Sequence, residues 1–531
     1  MKRREVIKNL SALPLVGAMY PLESTFAAEQ TQSRATTPAL NEYQKIGVEP
    51  FINCRGTLTI QGGSIELPEV VEAKRITTPF FVHLDELATG VGQRLADLTG
   101  AEWGMVSSGC AAGMKHVTAA CVTDGNPERL VRIPNLTGFP KTEVIIPTRS
   151  RNYYDAAIQN IGVTIVNVDT AADMEKAINS KTAMIYIMSN HHYDDAAFPL
   201  VEMVRIAKPH NIPILVDAAA EDLVVPNVYL QKGATIVAYS GGKAIRGPQS
   251  AGLLLGQKDI LLSAWQASSP HHGPGRDNKV NKDEMMAMVA AVETWIKTDH
   301  AAKERGWNTL LDNIGRRVSS AIRGVTYTIS EPRGLNNRNM SVRIAWDTAV
   351  YNITGSAIAT ELYSTRPRIA LSGSGIDNTG MTSVSASAKG MQQGEDRIVA
   401  DRLIEILLRK NEIPPARVIE PAAARLSGRW DVDIDFYSGK GRHTFFIEQN
   451  GNTLIGSHQG EFTTRNMTGT IDGNNIRLSS SERHQGSQME HNIQFNFTGI
   501  ATDNTMEGNI AMGEYLAAKF TARRYVQGGR A

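Results

Sequence analysis

Residues 212–243 read IPILVDAAAEDLVVPNVYLQKGATIVAYSGGK, and two short apolar runs in this stretch each lead to a polar side chain. Asp217 closes the first run, and Lys243 follows the second after Ser240 and two glycines. Apolar runs of this length, separated by a helix-length segment, are typical of parallel strands that are buried on both faces. The ends of such strands meet at one edge of the sheet, where α/β proteins bind ligands. We therefore expect a carboxylate and an amine to lie close together at that edge.

This pair of groups suits one cofactor in particular, pyridoxal phosphate (PLP). PLP needs a lysine amine that forms a Schiff base and a carboxylate that holds its protonated ring nitrogen. The glycines before Lys243 allow the backbone to approach a ligand closely, and the hydroxyl of Ser240 could bind a phosphate. The alternatives are a surface lysine in a glycine-rich turn and, for Asp217, a cap of the next helix.

Length and composition describe a multidomain globular chain. The 531 residues are too many for one compact core, and two or three domains are expected. Hydrophobic residues at 42% and charged residues at 21% are ordinary values. The formal net charge of +1 excludes a chain-wide surface for nucleic acid. After the N-terminus, no apolar stretch is long enough to span a bilayer.

Residues 1–27 contain, in order, the three parts of a twin-arginine export signal. Paired arginines at positions 3 and 4 precede a modest apolar segment at residues 10–18 and a small-residue cleavage candidate at residues 25–28. The alternative is an ordinary basic start to a buried helix. The signal predicts an exported, periplasmic protein, and because this route carries folded proteins, the cofactor could be loaded before export. Residues 28–47 are expected to form a loose N-terminal segment.

The three cysteines do not define the fold. On one helix, Cys110 and Cys121 would be separated by about 16 Å along the axis, which is too far for a disulfide bond. Cys54 lies far from both in the sequence, and no CxxC pair suggests a metal site. We therefore expect neither a disulfide framework nor a metal centre.

Residues 48–283 are predicted to form a large PLP-binding domain, and residues 284–412 a linking helix (284–310) and a smaller α+β domain whose last helix contains residues 402–408. Apolar runs alternate with helix-length segments in the large domain, which favours a mainly parallel, seven-stranded sheet wrapped by helices. The candidate strands are residues 104–107, 143–147, 163–168 and 183–188, the runs that end at Asp217 and Ser240, and residues 251–255.

The pattern changes after a Pro/Ala-rich linker at residues 413–426. Residues 427–527 alternate apolar and polar side chains with period two, as in residues 430–436 and 492–497. About eight short strands at hairpin spacing predict an antiparallel β barrel or sandwich. Turn signals recur at residues 450–452, 472–474 and 507–509, and four scattered histidines are expected to be solvated: His443, His458, His484 and His491.

Further cofactor-binding residues are expected at other strand ends of the large domain. Small side chains at Ser108, Gly109 and Cys110 join a strand to a helix, where backbone N–H groups suit a phosphate; the alternative is tight packing at a plain turn. Tyr153, or its neighbour Tyr154, could stack on the cofactor ring, although a core tyrosine is the competing interpretation. Ala219 leaves room for a flat ring above Asp217.

The order of these features along successive strand ends resembles that of the fold type I PLP-dependent enzymes. Within them, residues 52–410 are similar to the selenocysteine synthase and D-glucosaminate-6-phosphate ammonia-lyase-like group, although Cys54 stands where a small residue such as alanine is expected. Five motifs carry the resemblance: INCRGT at 52–57, GGS at 62–64, VDAAAE at 216–221, SGGKAIRGPQSAG at 240–252 and GRDNKVNK at 275–282.

The resemblance implies a PLP-dependent transferase-like fold and active sites built from two subunits, and hence a homodimer or larger homo-oligomer. It also implies substrate-binding roles for Arg55 and Ser64, and a carboxylate-binding role for Arg368, with Arg366 as a competitor and a surface role as the alternative. Three further basic residues would either reach a phosphate across the interface or form a solvated basic face: Arg276, Lys279 and Lys282.

The activity implied by the resemblance is that of a PLP-dependent carbon–nitrogen lyase. Asp217 would keep the ring nitrogen protonated, and Lys243 would act as the catalytic base and acid in α,β-elimination of a hydroxy-amino acid or an amino-sugar acid, with release of ammonia. Four alternatives use the same fold: a selenocysteine synthase-like transferase, a racemase, an aminotransferase and a non-catalytic binding protein. A nucleic-acid partner is not expected.

Overall fold

The computed structural model describes residues 41–189, 198–331, 335, 338, 340–409, 419–481 and 493–526. The chain divides into two compact units, residues 1–50 and 51–531. In the first unit, a one-turn helix, α1 (Glu42–Lys45), begins with a capping box between the side chains of Asn41 and Gln44. The predicted signal at residues 1–27 and most of the predicted loose segment lie outside the described residues.

A seven-stranded sheet forms the centre of the large domain, as the apolar runs predicted. Its strand order is β2-β8-β7-β6-β5-β3-β4, and β8 is antiparallel to both of its neighbours while the other pairs are parallel. The strand that precedes the sheet, β1 (Ile52–Asn53), pairs with the small domain. The strands of the sheet are β2 (Trp103–Ser107), β3 (Glu143–Pro147), β4 (Thr164–Val168), β5 (Thr182–Met188), β6 (Ile214–Asp217), β7 (Ile236–Ser240) and β8 (Gly252–Gly256).

Helices cover the sheet, and the most buried of them begins at the strand end where a phosphate site was predicted. This helix, Gly109–Thr123, packs against β8, β7 and β5, and its apolar residues lie on all sides because little of it faces solvent. The helices of the large domain are α2 (Pro68–Thr77), α3 (Leu84–Thr99), α4 (Gly109–Thr123), α5 (Pro127–Leu130), α6 (Ala156–Gln159), α7 (Ala171–Ala177), α8 (Leu200–Ala207), α9 (Val228–Gln231), α10 (Lys258–Ala267) and α11 (Lys282–Lys297).

The prediction of one long linking helix at residues 284–310 was wrong. Helix α11 ends at Lys297, and a second helix, α12 (His300–Ala321), follows after two residues. The chain turns extended at Thr298, and the Asp299 carboxylate then accepts a hydrogen bond from the Ala302 N–H at 2.9 Å. An aspartate in this position caps a new helix, so the apolar periodicity continues through a break in the backbone.

The small domain is built on a four-stranded antiparallel sheet in the order β12-β13-β10-β9. A further strand, β11, pairs in parallel with β1, so the chain start after residue 50 belongs to this domain. Its strands are β9 (Thr326–Ser330), β10 (Ser341–Asp347), β11 (Ile369–Ala370), β12 (Ser372–Gly373) and β13 (Met381–Ser387). Its remaining helices are α13 (Thr348–Tyr351), α14 (Gly355–Ser364) and α15 (Glu395–Leu408).

The C-terminal domain is a closed antiparallel barrel of eight strands. Of the two predicted forms, barrel and sandwich, the barrel is therefore present. Its strands follow one another around the barrel and close where β14 pairs with β21. They are β14 (Gly428–Asp435), β15 (Lys440–Asn450), β16 (Thr453–Gln459), β17 (Thr464–Asp472), β18 (Asn475–Ser481), β19 (Phe495–Ala501), β20 (Thr505–Met512) and β21 (Tyr515–Arg524).

Two sequence predictions for the barrel were wrong. Residues 507–509 form no turn but lie inside β20, where a Cβ on Gly508 would fall 2.0 Å from the Thr498 carbonyl oxygen. Glycine is required there by the close approach of two strands. His443 and His458 are not solvated; both are buried inside the barrel. His484 and His491 lie outside the described residues.

Each part of the second unit has its own hydrophobic core. The buried apolar side chains form three clusters without a shared member: one around the seven-stranded sheet, one in the small domain and one inside the barrel. Within the described ranges, every helix is too short or too polar to cross a membrane.

Candidate active site

Asp217 ends β6 as a buried carboxylate that is held by neutral donors. Its Oδ2 accepts a hydrogen bond from the Tyr186 hydroxyl at 2.9 Å, and its Oδ1 accepts one from the Ala219 N–H at 3.0 Å. The Cys110 sulfur lies 3.7 Å from Oδ1. The side chain is 4% exposed, and it forms no ion pair with any residue that the structure describes. A buried carboxylate without a counter-charge is costly, and the protonated ring nitrogen of PLP would supply one.

Tyr186 and Asn152 lie behind Asp217, and neither was predicted from the sequence motifs. The Asn152 amide donates to the Tyr186 hydroxyl at 2.9 Å and to the Ser150 carbonyl at 2.8 Å. Because the hydroxyl oxygen accepts from Asn152, its own hydrogen points to Asp217. Burial and the Asp217 charge hold the pKa of Tyr186 well above its ordinary value, so this donor stays protonated. A tyrosine inside the apolar run of β5 was the available signal in the sequence.

Lys243 lies in the turn after β7 and is half-buried. Its Nζ is 6.0 Å from the centre of the Tyr154 ring. The two glycines before it are required by packing, since a Cβ on Gly241 would lie 2.6 Å from the Pro248 carbonyl oxygen and one on Gly242 would lie 2.5 Å from the Gln249 Cα. The amine thus extends from a turn whose backbone is fixed on both sides.

Cys110 lies against the Asp217 carboxylate and is close enough to Lys243 for the charge of the amine to act on it. Burial raises the pKa of the Cys110 thiol well above its ordinary value, the Asp217 charge adds to this shift, and the Lys243 charge opposes it. The thiol is therefore protonated and can donate to Asp217. The structure brings Lys243, Asp217 and Cys110 together from three different strand ends, in the arrangement expected from the parallel sheet.

The turn at Ser108–Cys110 begins α4 and is packed closely. Gly109 has a φ of 79°, and a Cβ on Gly252 would lie 2.5 Å from the Gly109 carbonyl carbon. Ser108 makes no side-chain capping bond, while the Ser107 hydroxyl donates to the Gly109 carbonyl at 2.8 Å. The N–H groups of the first helical turn are thus not used by a side-chain cap and suit a phosphate.

The ends of β6 and β7 are also joined directly. The Ser240 N–H donates to the Ala219 carbonyl at 3.4 Å, so the two predicted cofactor-binding residues are neighbours. For the stacking aromatic, the geometry favours Tyr154, whose ring is near the Lys243 amine, over Tyr153; both rings are about half exposed.

Ser64 lies beside the lysine turn. Its N–H donates to the Gly242 carbonyl at 2.9 Å, and its hydroxyl is buried without a hydrogen-bond partner among the described residues. A buried hydroxyl with no partner is a position where a ligand group can bind. Arg55 is exposed, and its backbone N–H donates to the Asn53 side chain at 2.9 Å. Their substrate-binding roles stay predictions.

The other predicted basic residues make local contacts. The Arg368 guanidinium stacks 4.0 Å from the centre of the Tyr363 ring in the small domain, and its Nε donates to the Tyr363 carbonyl at 2.7 Å. The Lys282 amine donates to the carbonyls of Thr77 and Thr78 at the end of α2. Arg276 donates to the Ser269 hydroxyl at 3.2 Å, and Lys279 is exposed.

Comparison with known proteins agrees with this geometry. Residues 85–279 match a family described as Cys/Met metabolism PLP-dependent enzyme. The chain is 32% identical over 264 residues to D-glucosaminate-6-phosphate ammonia lyase of Salmonella typhimurium, a match that covers 48% of this chain and 70% of that enzyme. It is 30% identical over 273 residues to 5'-C-glycyluridine monooxygenase-decarboxylase of a Streptomyces species, covering 49% of this chain and 67% of that enzyme.

Two further similarities extend the comparison. The chain is 24% identical over 291 residues to L-seryl-tRNA(Sec) selenium transferase of Proteus mirabilis, covering 49% of this chain and 59% of that protein. The solved structure of D-glucosaminate-6-phosphate ammonia-lyase superimposes with a TM-score of 0.60 at 26% identity, covering 69% of this chain and 98% of that chain. The resemblance inferred from the sequence motifs is confirmed.

Proposed function

Since the chain belongs to the family of PLP-dependent enzymes that includes D-glucosaminate-6-phosphate ammonia lyase, we propose that it is a lyase that releases ammonia from a hydroxy-amino acid or an amino-sugar acid. The observation that carries the proposal is the cluster of Lys243, Asp217 and Cys110. It unites an amine with a buried carboxylate that forms no ion pair among the described residues, beside a helix N-terminus. Similarity to an ammonia lyase in both sequence and fold supports this reaction class.

Different groups of the site would bind different parts of PLP. Asp217 would hold the protonated ring nitrogen, and the first turn of α4 would hold the phosphate. Bound PLP supplies an acceptor for the electrons that remain when the substrate Cα loses its proton. Asp217 maintains that capacity because Tyr186 and Ala219 fix the carboxylate in place and burial keeps water away from it.

Lys243 carries the proton in the proposed reaction. Its amine takes the proton from the substrate Cα and delivers it to the hydroxyl that departs from Cβ as water. The remaining enamine reacts with water to give a 2-keto acid and ammonia, which balances the reaction without an oxidant. Ser64 and Arg55 would bind the substrate, the first through its hydroxyl, which has no partner among the described residues, and the second through its guanidinium.

The cofactor assignment is tested by absorption spectroscopy. We expect the purified protein to show the visible absorption band of bound PLP and Lys243→Ala to lose it, because this amine holds the cofactor covalently. Lys176→Ala, which removes an exposed lysine from α7, serves as the matched control and should keep the band. A colourless protein that does not take up added PLP would refute the assignment.

The reaction class is tested by a substrate screen. D- and L-hydroxy-amino acids and amino-sugar acids are incubated with the protein, and ammonia and keto acid are measured together. The proposal predicts equal amounts of both from at least one compound. Racemisation or transamination without ammonia release would assign the cluster to another PLP reaction, since the same residues serve those reactions as well.

We also propose that the protein is exported to the periplasm and acts as a homo-oligomer. The first proposal rests on the order of the parts in residues 1–27, and the second on the assembly that the family resemblance implies. Cell fractionation with Arg3→Lys and Arg4→Lys combined tests the first, because both changes keep the charge but remove the paired arginines. Light scattering of the mature protein tests the second.

A further inference from the structure

Among the described residues of the barrel, the buried polar side chains lie near one end of its interior. Inward-facing side chains alternate along each strand, and most of them are apolar. The exceptions are confined to four adjacent strands, β15 to β18, near the end of the barrel where β16 connects to β17. These buried polar residues are His443, His458, Arg465 and Ser480.

The two histidines and the serine form one hydrogen-bonded chain. His443 Nδ1 and His458 Nε2 are 2.7 Å apart, and His458 Nδ1 lies 2.7 Å from the Ser480 hydroxyl. Burial lowers the pKa of both histidines and the nearby Arg465 charge adds to this; His443 lowers that of His458 further, to about 3. Both rings are therefore neutral near pH 7, which leaves Arg465 as the charged member of the group.

Arg465 is a buried cation without a described counter-ion. Arg465 is 9% exposed, and its guanidinium lies 5.3 Å from the centre of the Phe495 ring. Within the part of the chain that the structure describes, its Nε has no hydrogen-bond partner and it forms no ion pair. Burial of an unpaired charge is costly, so this position calls for an anion.

Thr463 adds a second unsatisfied group next to this cation. Its Oγ1 is buried and has no hydrogen-bond partner among the described residues. Thr463 lies in the turn before β17, and its carbonyl oxygen and Arg465 Nη1 both lie within 3.4 Å of the position that a Cβ on Gly460 would take. Gly460 lies between β16 and β17. A Cβ at this position would lie only 3.1 Å from Arg465 Nη1, so glycine leaves room for the guanidinium.

We propose that this end of the barrel binds a small organic carboxylate, a site separate from the proposed PLP reaction. The guanidinium of Arg465 offers parallel N–H donors to both carboxylate oxygens, and the Thr463 hydroxyl offers a third. The ligand has few carbon atoms, because Phe445, Met467 and Phe497 are at most 1% exposed and fill the interior next to the polar group. The Phe495 ring provides the adjoining apolar contact.

Acetate is the probe for this site, and saturation-transfer NMR on the full-length protein is the measurement. We expect Arg465→Gln to weaken acetate binding by about tenfold or more, and Thr463→Val by about fivefold, because charge-assisted hydrogen bonds exceed neutral ones in strength. Arg477→Gln removes an exposed arginine from β18 and should change nothing. Comparison between variants separates this site from acetate bound elsewhere in the protein.

Thermal unfolding in carboxylate-free buffer supplies the opposing test. An unpaired Arg465 destabilises the fold, so Arg465→Gln should leave the melting temperature unchanged or raise it. Acetate should raise the melting temperature of the wild type but not that of Arg465→Gln. A lower melting temperature for Arg465→Gln, with no response to acetate in either protein, would show that a carboxylate of the chain itself pairs with Arg465. That result, or tighter binding of inorganic phosphate than of acetate, overturns the proposal.

Discussion

Asp217 depends on its neighbours for its orientation, and Tyr186 is the neighbour whose contribution can be isolated. Tyr186→Phe removes the donor to Oδ2 and keeps the ring. We expect the dissociation constant of PLP to rise by about ten- to hundredfold, since a hydrogen bond to a charged group contributes about 1.5–3 kcal/mol. Fluorescence titration of the apoprotein with PLP measures this change.

Tyr239→Phe is the matched control for this substitution. Its hydroxyl is buried on β7, on the other side of β6 from Tyr186, and accepts a hydrogen bond from the Asn227 amide at 2.7 Å. The change therefore removes a buried hydroxyl without removing a donor to Asp217. Equal loss of PLP affinity in the two variants would show that Tyr186 acts through general stability and not through the carboxylate.

Single residues of the site differed in how well the sequence could place them. Lys243, Asp217 and Cys110 could be brought together because strand ends of a parallel sheet converge. Tyr186 could not, because a tyrosine within a buried run has the same pattern as a core residue. The choice between Tyr153 and Tyr154 depends on local turn geometry, which a neighbouring pair of identical residues does not reveal.

The start of helix α4 depends on a glycine in a different element, β8. A Cβ on Gly252 would lie 2.6 Å from the Cys110 backbone nitrogen. Gly252→Ala should therefore displace the first turn, with a loss of about 1–3 kcal/mol in stability and weaker PLP binding. In α12, a Cβ on Gly306 would have no heavy atom within 4 Å apart from the nearby backbone of its own helix. Gly306→Ala should therefore be neutral or stabilising. Denaturant unfolding and PLP titration of both variants check this; comparable losses would contradict it.

Helix α4 also carries a titratable group that makes the fold sensitive to acid. His116 is fully buried, both ring nitrogens lack described partners, and burial together with the Lys115 charge lowers its pKa to about 3, while Asp277 opposes this shift. Between pH 6.5 and about 3, the unfolded chain binds a proton that the folded chain excludes. Stability is therefore full above this window and falls as the pH decreases through it.

Substitution of His116 by leucine should make that dependence shallower. We expect the slope of unfolding free energy against pH to decrease by up to about 1.4 kcal/mol per pH unit, the value for one proton. His210→Leu, at an exposed position, should leave the slope unchanged. Urea unfolding at several pH values measures both slopes, and parallel profiles for wild type and His116→Leu would refute the assignment.

Elements were predictable where periodicity and chemistry agree. The seven strands of the large sheet follow from short uninterrupted apolar runs, which are typical of strands buried on both faces. The break between α11 and α12 was missed because apolar spacing continues across it, and only the capping role of Asp299 marks it. Within the barrel, Gly508 resembled a turn signal, yet it reflects close contact between strands.

At the scale of the molecule, three separate cores predict that the barrel unfolds independently. Among the described residues, the buried apolar side chains of the barrel form a cluster of their own, separate from the other two. A chain that ends at residue 409 should therefore keep its PLP absorption and bind PLP within about twofold of the full protein. Calorimetry of the full chain should show a transition that the shortened chain lacks; loss of PLP binding on truncation would contradict this.

The division into domains was visible in the sequence as a change of period, from helix spacing to strict alternation. Whether the alternating strands close into a barrel or form two sheets was not, because both arrangements bury the same face of each strand. The polar group at His443 and Arg465 was missed for a related reason. Alternation identifies which residues of a strand face inward. An isolated polar residue at an inward position, however, resembles a solvent-facing residue at an interruption of the pattern.

Arg55 occupies a position that two domains determine jointly. The residue before it, Cys54, exchanges backbone hydrogen bonds with Ala370 and Ser387 of the small domain, whereas Ser64 is bonded to Gly242 beside the lysine. The short segment between Cys54 and Ser64 is therefore hydrogen-bonded to the small domain at one end and to the large domain at the other. A substitution that shifts either of these hydrogen-bonded ends will move the Arg55 guanidinium, the predicted substrate-binding group, without contacting it. We therefore expect that distant mutations in the small domain can alter substrate affinity.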